Sequence, residues 1–246
     1  MISSLFHTVF YNPLYNGLIF LIDLIPGGNI GVAVIIFTIV VKLILMPLSK
    51  GAVVTQLKMK QLEPELTKLR EKYKDNPQEQ GKKMLEFYRA NGLNPFAGIL
   101  LMLIQLPIIL ALAFIFYRGG LPVVNTELLY SFVQVPATVG THFLGLIDVS
   151  VRNVFLGALA GITQFFQVQF SVPAYKATEG KEPNFKDDLA RSMNVQMRYV
   201  LPALVFFISL GVSGAVALYW ITSNLFTIAQ ELYFRKTIKK NEVVKV

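Results

Sequence analysis

Thr38 and Lys42 stand four residues apart in the run FTIVVKLILMPLSK, Phe37 to Lys50. Four residues is about one helical turn, so a helix puts the hydroxyl and the ammonium on one face. Ser49 follows seven residues beyond Lys42, on the same side if the helix continues. An ammonium among Val, Leu and Ile side chains has two uses. It can snorkel to a membrane surface beyond Leu48, about 9 Å along a helix axis. It can instead stand in a wet cavity and attract carboxylates. Uncharged polarity recurs in other apolar runs: Gln105 in one, Thr163, Gln164, Gln167 and Gln169 in a second, Thr222, Ser223, Asn224, Thr227 and Gln230 in a third. Facing lipid, such groups are costly. They either bond to one another between helices, at about 0.6 kcal/mol per bond, or line water. Gln105 and Asn224 fit the first role as well as the second.

The chemistry of enzymes is missing from the pattern. There is no cysteine, and the two histidines, His7 and His142, lie far apart in the sequence. Gly180-Lys181 lacks the glycine five residues earlier that a phosphate-binding loop needs. No HExxH motif or carboxylate pair falls in an apolar run, where Glu231 is the one acid. The expectation is a protein without catalytic residues, cofactor or metal.

Elements must carry the polar groups. Of 246 residues, 54% are hydrophobic and 15% charged, with a mean hydropathy of +0.53. Soluble domains carry about 25% charged residues. Runs of about 20 apolar residues cross a bilayer core as helices. Five such spans are expected: Ile30 to Leu48, Pro95 to Tyr117, Asn153 to Phe170, Tyr199 to Gly211 and Ser213 to Phe234. The fourth is short unless it extends back through Met193. Residues 1–29 have no basic stretch of the kind that opens a signal peptide, and they read as an interfacial amphipathic segment. The fold class is therefore an all-α polytopic membrane protein of five transmembrane helices.

Residues 49–94 hold ten Lys and Arg and six acids. Val54, Leu57, Leu62, Leu66, Leu69 and Tyr73 form one apolar stripe there, and Met84, Leu85, Phe87 and Tyr88 a second. Asp75-Asn76-Pro77 turns the chain, which makes a helical hairpin kinked at Pro64. Residues 171–198 hold five basic residues and four acids, and the tail 235–246 five and one. Residues 1–29 have no Lys or Arg, and 118–152 only Arg118 and Arg152. Basic segments stay in the cytoplasm. The N-terminus and the 118–152 loop are thus expected outside, and the hairpin, the 171–198 loop and the tail inside.

The runs TIVVKLILMPLSK, YRANGLNPFAGILLMLIQLPIILALAFIFYR, GITQFFQ and SGAVALYWITSNLFTIAQ, with the charged hairpin between the first two, resemble the YidC family of membrane protein insertases in its short, five-span bacterial form. The resemblance covers about Phe6 to Arg235. It implies a bacterial inner-membrane, multi-pass protein with a groove open to cytosol and lipid. Nascent membrane proteins would enter the groove and leave into the bilayer. The resemblance also implies contacts with the ribosome, the Sec translocon and the signal-recognition receptor. The family's groove cation, usually arginine, falls at Lys42. Thr38, Gln167 and Trp220 match its substrate contacts, and Gln105, Gln164, Ser223 and Asn224 are further groove or interhelical polar groups. A lysine keeps the charge but not the bidentate fork of arginine. From the residues alone, a small-solute channel or transporter and a non-translocating assembly scaffold stay open as alternatives.

The charge asymmetry has a direct test. Single cysteines at Ser4 and Asn241 are expected to react with impermeant maleimide from opposite sides of sealed vesicles; labelling from one side refutes the five-span topology.

Overall fold

The computed structural model describes residues 2–94, 96–117, 121–171 and 191–243. Helices dominate. In chain order they are α1 (Ile2–Phe6), α2 (Asn12–Leu24), α3 (Ile30–Ile44), α4 (Met46–Gln61), α5 (Glu63–Lys72), α6 (Pro77–Ala90), α7 (Ala97–Tyr117), α8 (Val154–Ser171), α9 (Leu201–Gly211) and α10 (Gly214–Val243). A π-helical turn, His7–Tyr11, joins α1 to α2, and another, Gln196–Val200, leads into α9. The only strands among the described residues are β1 (His142–Phe143) and β2 (Ile147–Asp148), paired antiparallel with His142 opposite Asp148. Two compact units result. One is Met1–Lys42 with Leu106–Ala229, and the other Leu43–Gln105 with Gln230–Val246.

All five runs expected to cross the membrane are helical. By length and composition, Val154–Ser171 and Arg191–Gly211 are each apolar enough to span, and α3 with α4 makes a third if the broken pair is taken together. α7 adds 21 residues without a charge, about 32 Å at 1.5 Å per residue. Three ends differ from the sequence reading. The first run does not continue to Leu48: α3 stops at Ile44, because Pro47, second in α4, has no N–H for the carbonyl four residues back. The fourth starts by Arg191 rather than Tyr199. The fifth runs on to Val243 through Lys and Glu residues that favour helix. Pro95 and most of the 171–198 loop lie outside the described residues.

In the first unit, α2 is more than a surface helix. Tyr15, Leu18, Ile19 and Ile22 are fully buried, while Phe20 and Leu24 on the other side are exposed. Gly17 lies against Phe37 of α3: a Cβ there would stand 3.2 Å from its ring. Fully buried Ala33, Val34, Ala111, Leu112, Ile115, Ala215 and Ala217 complete the core with α3, α7 and α10.

Residues 121–152 are stitched to these helices by groups that water would otherwise serve. The buried Asn16 accepts from the Tyr130 amide (2.7 Å) and donates to the Leu128 carbonyl (2.9 Å). The Tyr15 hydroxyl accepts from the Asn125 amide (2.7 Å). The first N–H groups of a helix have no partner inside it, and here the segment supplies them. The Gly140 carbonyl accepts from Ile30 (2.9 Å), Val151 from Gly214 (2.8 Å) and Val149 from Ala215 (2.8 Å). Asn29 caps α3 at the Val32 amide (3.1 Å) and donates to the His142 carbonyl (2.8 Å). Gly28, at φ +61°, is required by this approach, since a Cβ would meet the Thr138 carbonyl oxygen at 1.9 Å. The Ser150 hydroxyl (2.6 Å) and amide hold the Asp148 carboxyl below its usual range.

α8 and α9 pack closely. The stretch Gly157-Ala-Leu-Ala-Gly161 puts two glycines one turn apart, the spacing that lets helices approach in membranes. A Cβ at Gly161 would sit 2.7 Å from the Phe206 Cβ, and one at Gly157 3.2 Å from the Ser209 backbone. The buried Ser209 hydroxyl donates to the Gly157 carbonyl (2.9 Å).

The second unit holds the hairpin. Leu66, Tyr88 and Leu93 are its buried centre, with Met59, Leu62, Met84 and Phe87 around them. Leu85, expected in the stripe, is exposed: at one residue from Met84 it is turned about 100° away on a 3.6-residue helix. The expected kink is a break at Leu62, with Pro64 in the first turn of α5. Asn76 caps α6 through the Glu79 amide (3.2 Å), and Gly92 at φ +63° follows the helix end.

The glycine seam predicts a contrast. Gly161→Ala forces Phe206 to shift and is expected to cost about 1–3 kcal/mol. Gly51→Ala, with nothing within 4 Å, is expected to be neutral or stabilising by roughly 0.5–1 kcal/mol. Thermal unfolding in detergent measures both, and equal midpoints refute the seam.

Candidate functional site

In the first unit the polar side chains of α3, α8 and α10 find one another. Lys42, half-buried near the end of α3, donates from Nζ to the Thr227 hydroxyl oxygen on α10 (3.2 Å). Thr227 in turn donates to the Ser223 carbonyl one turn back (2.8 Å). The lysine's acceptor is therefore a neutral oxygen. Among the described residues, no carboxylate pairs with Lys42. An ammonium held this way keeps its full charge for a further partner.

The buried Asn224 donates to Thr163 of α8 (3.2 Å), which itself donates to the Ala160 carbonyl (3.0 Å). Trp220 and Ser223 are buried on the same helix. Trp220, Ser223, Asn224 and Thr227 fall at spacings of three, four and seven, so they share one flank of α10.

Along α8 the amides form a ladder. Gln164 Nε2 donates to Gln167 Oε1 (3.1 Å), and Gln167 Nε2 donates to the Ser171 hydroxyl (2.9 Å). Gln169 accepts from the Arg198 guanidinium.

The candidate residues are thus placed unequally. Lys42, Ser223 and Asn224 join through α10. Thr38 is completely buried and its hydroxyl donates to the Val34 carbonyl (2.6 Å), within its own helix. Gln164 and Gln167 are half-buried and bond along α8. Gln105 belongs to the second unit. In that unit Gln230 donates to the Ser49 hydroxyl (2.7 Å), and the buried Glu231 pairs with Arg235 (2.5 Å). Thr227 is the residue that sequence reasoning left among five polar groups without a role. Its position seven residues after Trp220 was the available signal, but Lys42 lies 185 positions away.

A family described as the 60Kd inner membrane protein matches residues 21–241, nearly the whole chain. The membrane protein insertase YidC 1 of Bacillus anthracis is 31% identical over 225 residues, covering 89% of this chain and 77% of that relative. The chain belongs to the YidC family. Another YidC, from Clostridium tetani, is 29% identical over 220 residues, 89% of this chain and 88% of its own length. The YidC of Wolinella succinogenes is 31% identical over 236 residues, but the match takes up only 38% of its length. The YidC match covers every element from the later part of α2 to nearly the end of α10, so the polar groups of α3, α8 and α10 all lie within it.

Thr227→Val removes the acceptor from the Lys42 ammonium and leaves a charged donor short of a partner, a loss of about 1–3 kcal/mol. The expected outcome is a lower thermal midpoint that Thr227→Ser restores. An unchanged midpoint for Thr227→Val means the pair carries no stability.

Proposed function

We propose that this chain is an insertase and chaperone for membrane proteins in the bacterial inner membrane, with residues 1–29 and 118–152 outside and the α5–α6 hairpin and C-terminus in the cytoplasm. Membership of the YidC family and the names of its relatives support the activity. The Lys and Arg asymmetry supports the orientation. The observation that carries the mechanism is the Lys42 ammonium held by a neutral hydroxyl.

A nascent chain with an acidic outer tail and one apolar segment would approach from the cytoplasm. Lys42 would draw the tail's carboxylates part-way into the membrane. Opposite charges 4 Å apart attract by about 4 kcal/mol where the effective dielectric is about 20, which offsets part of the cost of desolvating the tail. Gln167 and Trp220 would line the same groove, with Gln164, Ser223 and Asn224 as polar wall or interhelical bonds, and the fully buried Thr38 would stand behind that wall. The membrane potential would pull the acids outward, at about 2.3 kcal/mol per charge per 100 mV. The apolar segment would then pass sideways into lipid. Such a cycle breaks and makes no covalent bond. The pairing of Thr38, Thr163, Asn224 and Thr227 inside the protein favours this reading over a solute channel, which needs polar groups free along its path.

Nascent membrane proteins and lipid are the partners this requires. The charged hairpin is proposed to receive substrates or targeting factors such as the signal-recognition receptor, and the ribosome and Sec translocon would act upstream. Arg235, Lys236, Lys239, Lys240 and Lys245 suit anionic lipid, at about 1 kcal/mol per basic residue near the surface.

Insertion of paired single-span substrates, alike except for acids in the outer tail, tests the role of the charge. Lys42→Arg is expected to be active. Lys42→Ala is expected to insert the acidic substrate poorly and the neutral one almost normally, and Lys42→Glu to be worst, because it repels the tail. Blotting for the insertase controls for abundance. Equal insertion of both substrates by wild type and Lys42→Ala would make this lysine an interfacial anchor.

A further inference from the structure

The β1–β2 hairpin ends in a turn of unusual composition. Phe143 to Ile147 reads FLGLI, and the Leu146 amide donates to the Phe143 carbonyl (3.1 Å) across it. Both central residues have positive φ, Leu144 at 53° and Gly145 at 71°. The register pairs Phe143 with Ile147, so three residues close the hairpin, and consecutive positive φ values, as in primed turns, strongly prefer Asn, Asp or Gly. Here the first of the two is a leucine, whose Cβ is crowded in this conformation. The leucine is also 72% exposed, and Leu146 on the far side of Gly145 is 83% exposed. In water both the strain and the exposure are unfavourable, and an Asn would relieve both.

The hairpin is firmly held, so the tip is presented rather than loose. The His142 carbonyl accepts from Asn29, the Val149 amide donates to the Thr141 carbonyl (3.0 Å), and Phe143 covers Gly31 so closely that a Cβ there would lie 2.5 Å from its ring. These anchors also give a direction. Residues 28–30 and 138–140 run parallel, with Asn29 bridged to Gly140. Thr138 lies by Gly28, Gly140 by Ile30 and Phe143 by Gly31. The chain therefore descends along α3 from its N-terminal end. One or two more residues, at about 3.3 Å each, bring the tip beside the next turn of α3, a helix of apolar residues that enters the membrane. No Asp, Glu, Lys or Arg occurs between Glu127 and Asp148, so no charge resists burial in that zone. Phe132 within the same stretch is 74% exposed.

We infer that the Leu144-Gly145-Leu146 tip inserts into the lipid leaflet at the N-terminal end of α3 and acts as a fixed apolar wedge beside the bundle. The occupant of this surface is phospholipid acyl chain. Lipid removes the exposure of both leucines, and the left-handed leucine is the residue that delivers an apolar side chain at the leading position of the turn. The inference rests on the membrane placement of α3 and not on insertase activity.

The chain has no cysteine, so Leu144→Cys and Leu146→Cys can each carry a single environment-sensitive nitrobenzoxadiazole label. The labelled full-length proteins are reconstituted in phosphatidylethanolamine–phosphatidylglycerol vesicles. Emission is expected to shift to the blue, with quenching by nitroxide-bearing lipid several-fold stronger than quenching by aqueous iodide. The same Leu146 label in a Leu144→Asn background, where the turn is relaxed and the leading side chain polar, is expected to lose part of that lipid quenching while the protein stays folded in detergent. Stronger quenching by iodide than by lipid at both positions overturns the proposal. So does efficient oxidation of Leu146→Cys to a disulfide-linked dimer, which would make a second copy the occupant. A protein that fails to insert substrates but shows lipid-quenched labels refutes the proposed function and leaves this inference standing.

Discussion

Hydrocarbon accepts and donates no hydrogen bonds, and every backbone or side-chain polar group placed in it must find a partner within the protein. That constraint explains why so much of this chain's polarity turns inward. The hydroxyls of Thr38, Thr163 and Thr227 each return to a carbonyl on their own helix. Among the described residues of the first unit, bonds that cross between helices include Ser209 to the Gly157 carbonyl, Asn224 to Thr163, Lys42 to Thr227 and Arg198 to Gln169. Lys42 stands apart because its hydrogen-bond partner is a neutral hydroxyl, which accepts one of the three ammonium N–H groups and leaves the charge unpaired by a carboxylate among the described residues.

Helix ends raise the same demand, and here residues 121–152 meet it. α3 and α10 each start with N–H groups that receive carbonyls from that segment. Asn29 serves both sides at once, as cap to α3 and donor to His142. Asn16 does likewise from within α2, with its amide spent on Leu128 and Tyr130. A long connection with only two short strands thereby acquires a defined path over the helix ends. Its order comes from side chains of the helices and not from a core of its own.

Much of this was legible in the sequence. Apolar runs located α3, α7, α8, α9 and α10, and turn residues located the hairpin, because Asn76 and Gly92 act through local backbone preference. The Thr38 and Lys42 spacing also reads directly, but spacing says nothing of what a side chain meets. Thr38 spends its hydroxyl locally, and Lys42 finds a partner on the last helix, a pairing that only tertiary structure reveals. The halt at Ile44 was available from Pro47, whose local rule competes with a long apolar run. The continuation of α10 past Phe234 follows helix propensity, whereas hydropathy alone ends there. The path of residues 121–152 depends on the distant Tyr15, Asn16 and Asn29, and no local pattern announces it.

The close seam between α8 and α9 has a mechanical meaning. Two helices in contact through Gly157 and Gly161, with Phe206 and Ser209 fitted against them, have almost no slack to slide or part without a clash or a void. They behave as one stiff plank. α8 meets α10 at one glycine, Gly214, where a Cβ would stand 3.1 Å from the Leu156 side chain, and through the Asn224 to Thr163 bond; such bonds in membranes contribute only about 0.6 kcal/mol. Packing in the first unit is thus uneven: a two-glycine seam with a buried hydroxyl bond between α8 and α9, and between α8 and α10 one glycine contact and one side-chain bond. Any sideways widening of this unit would hinge at the α8–α10 contact, with the glycine pair moving as a single body.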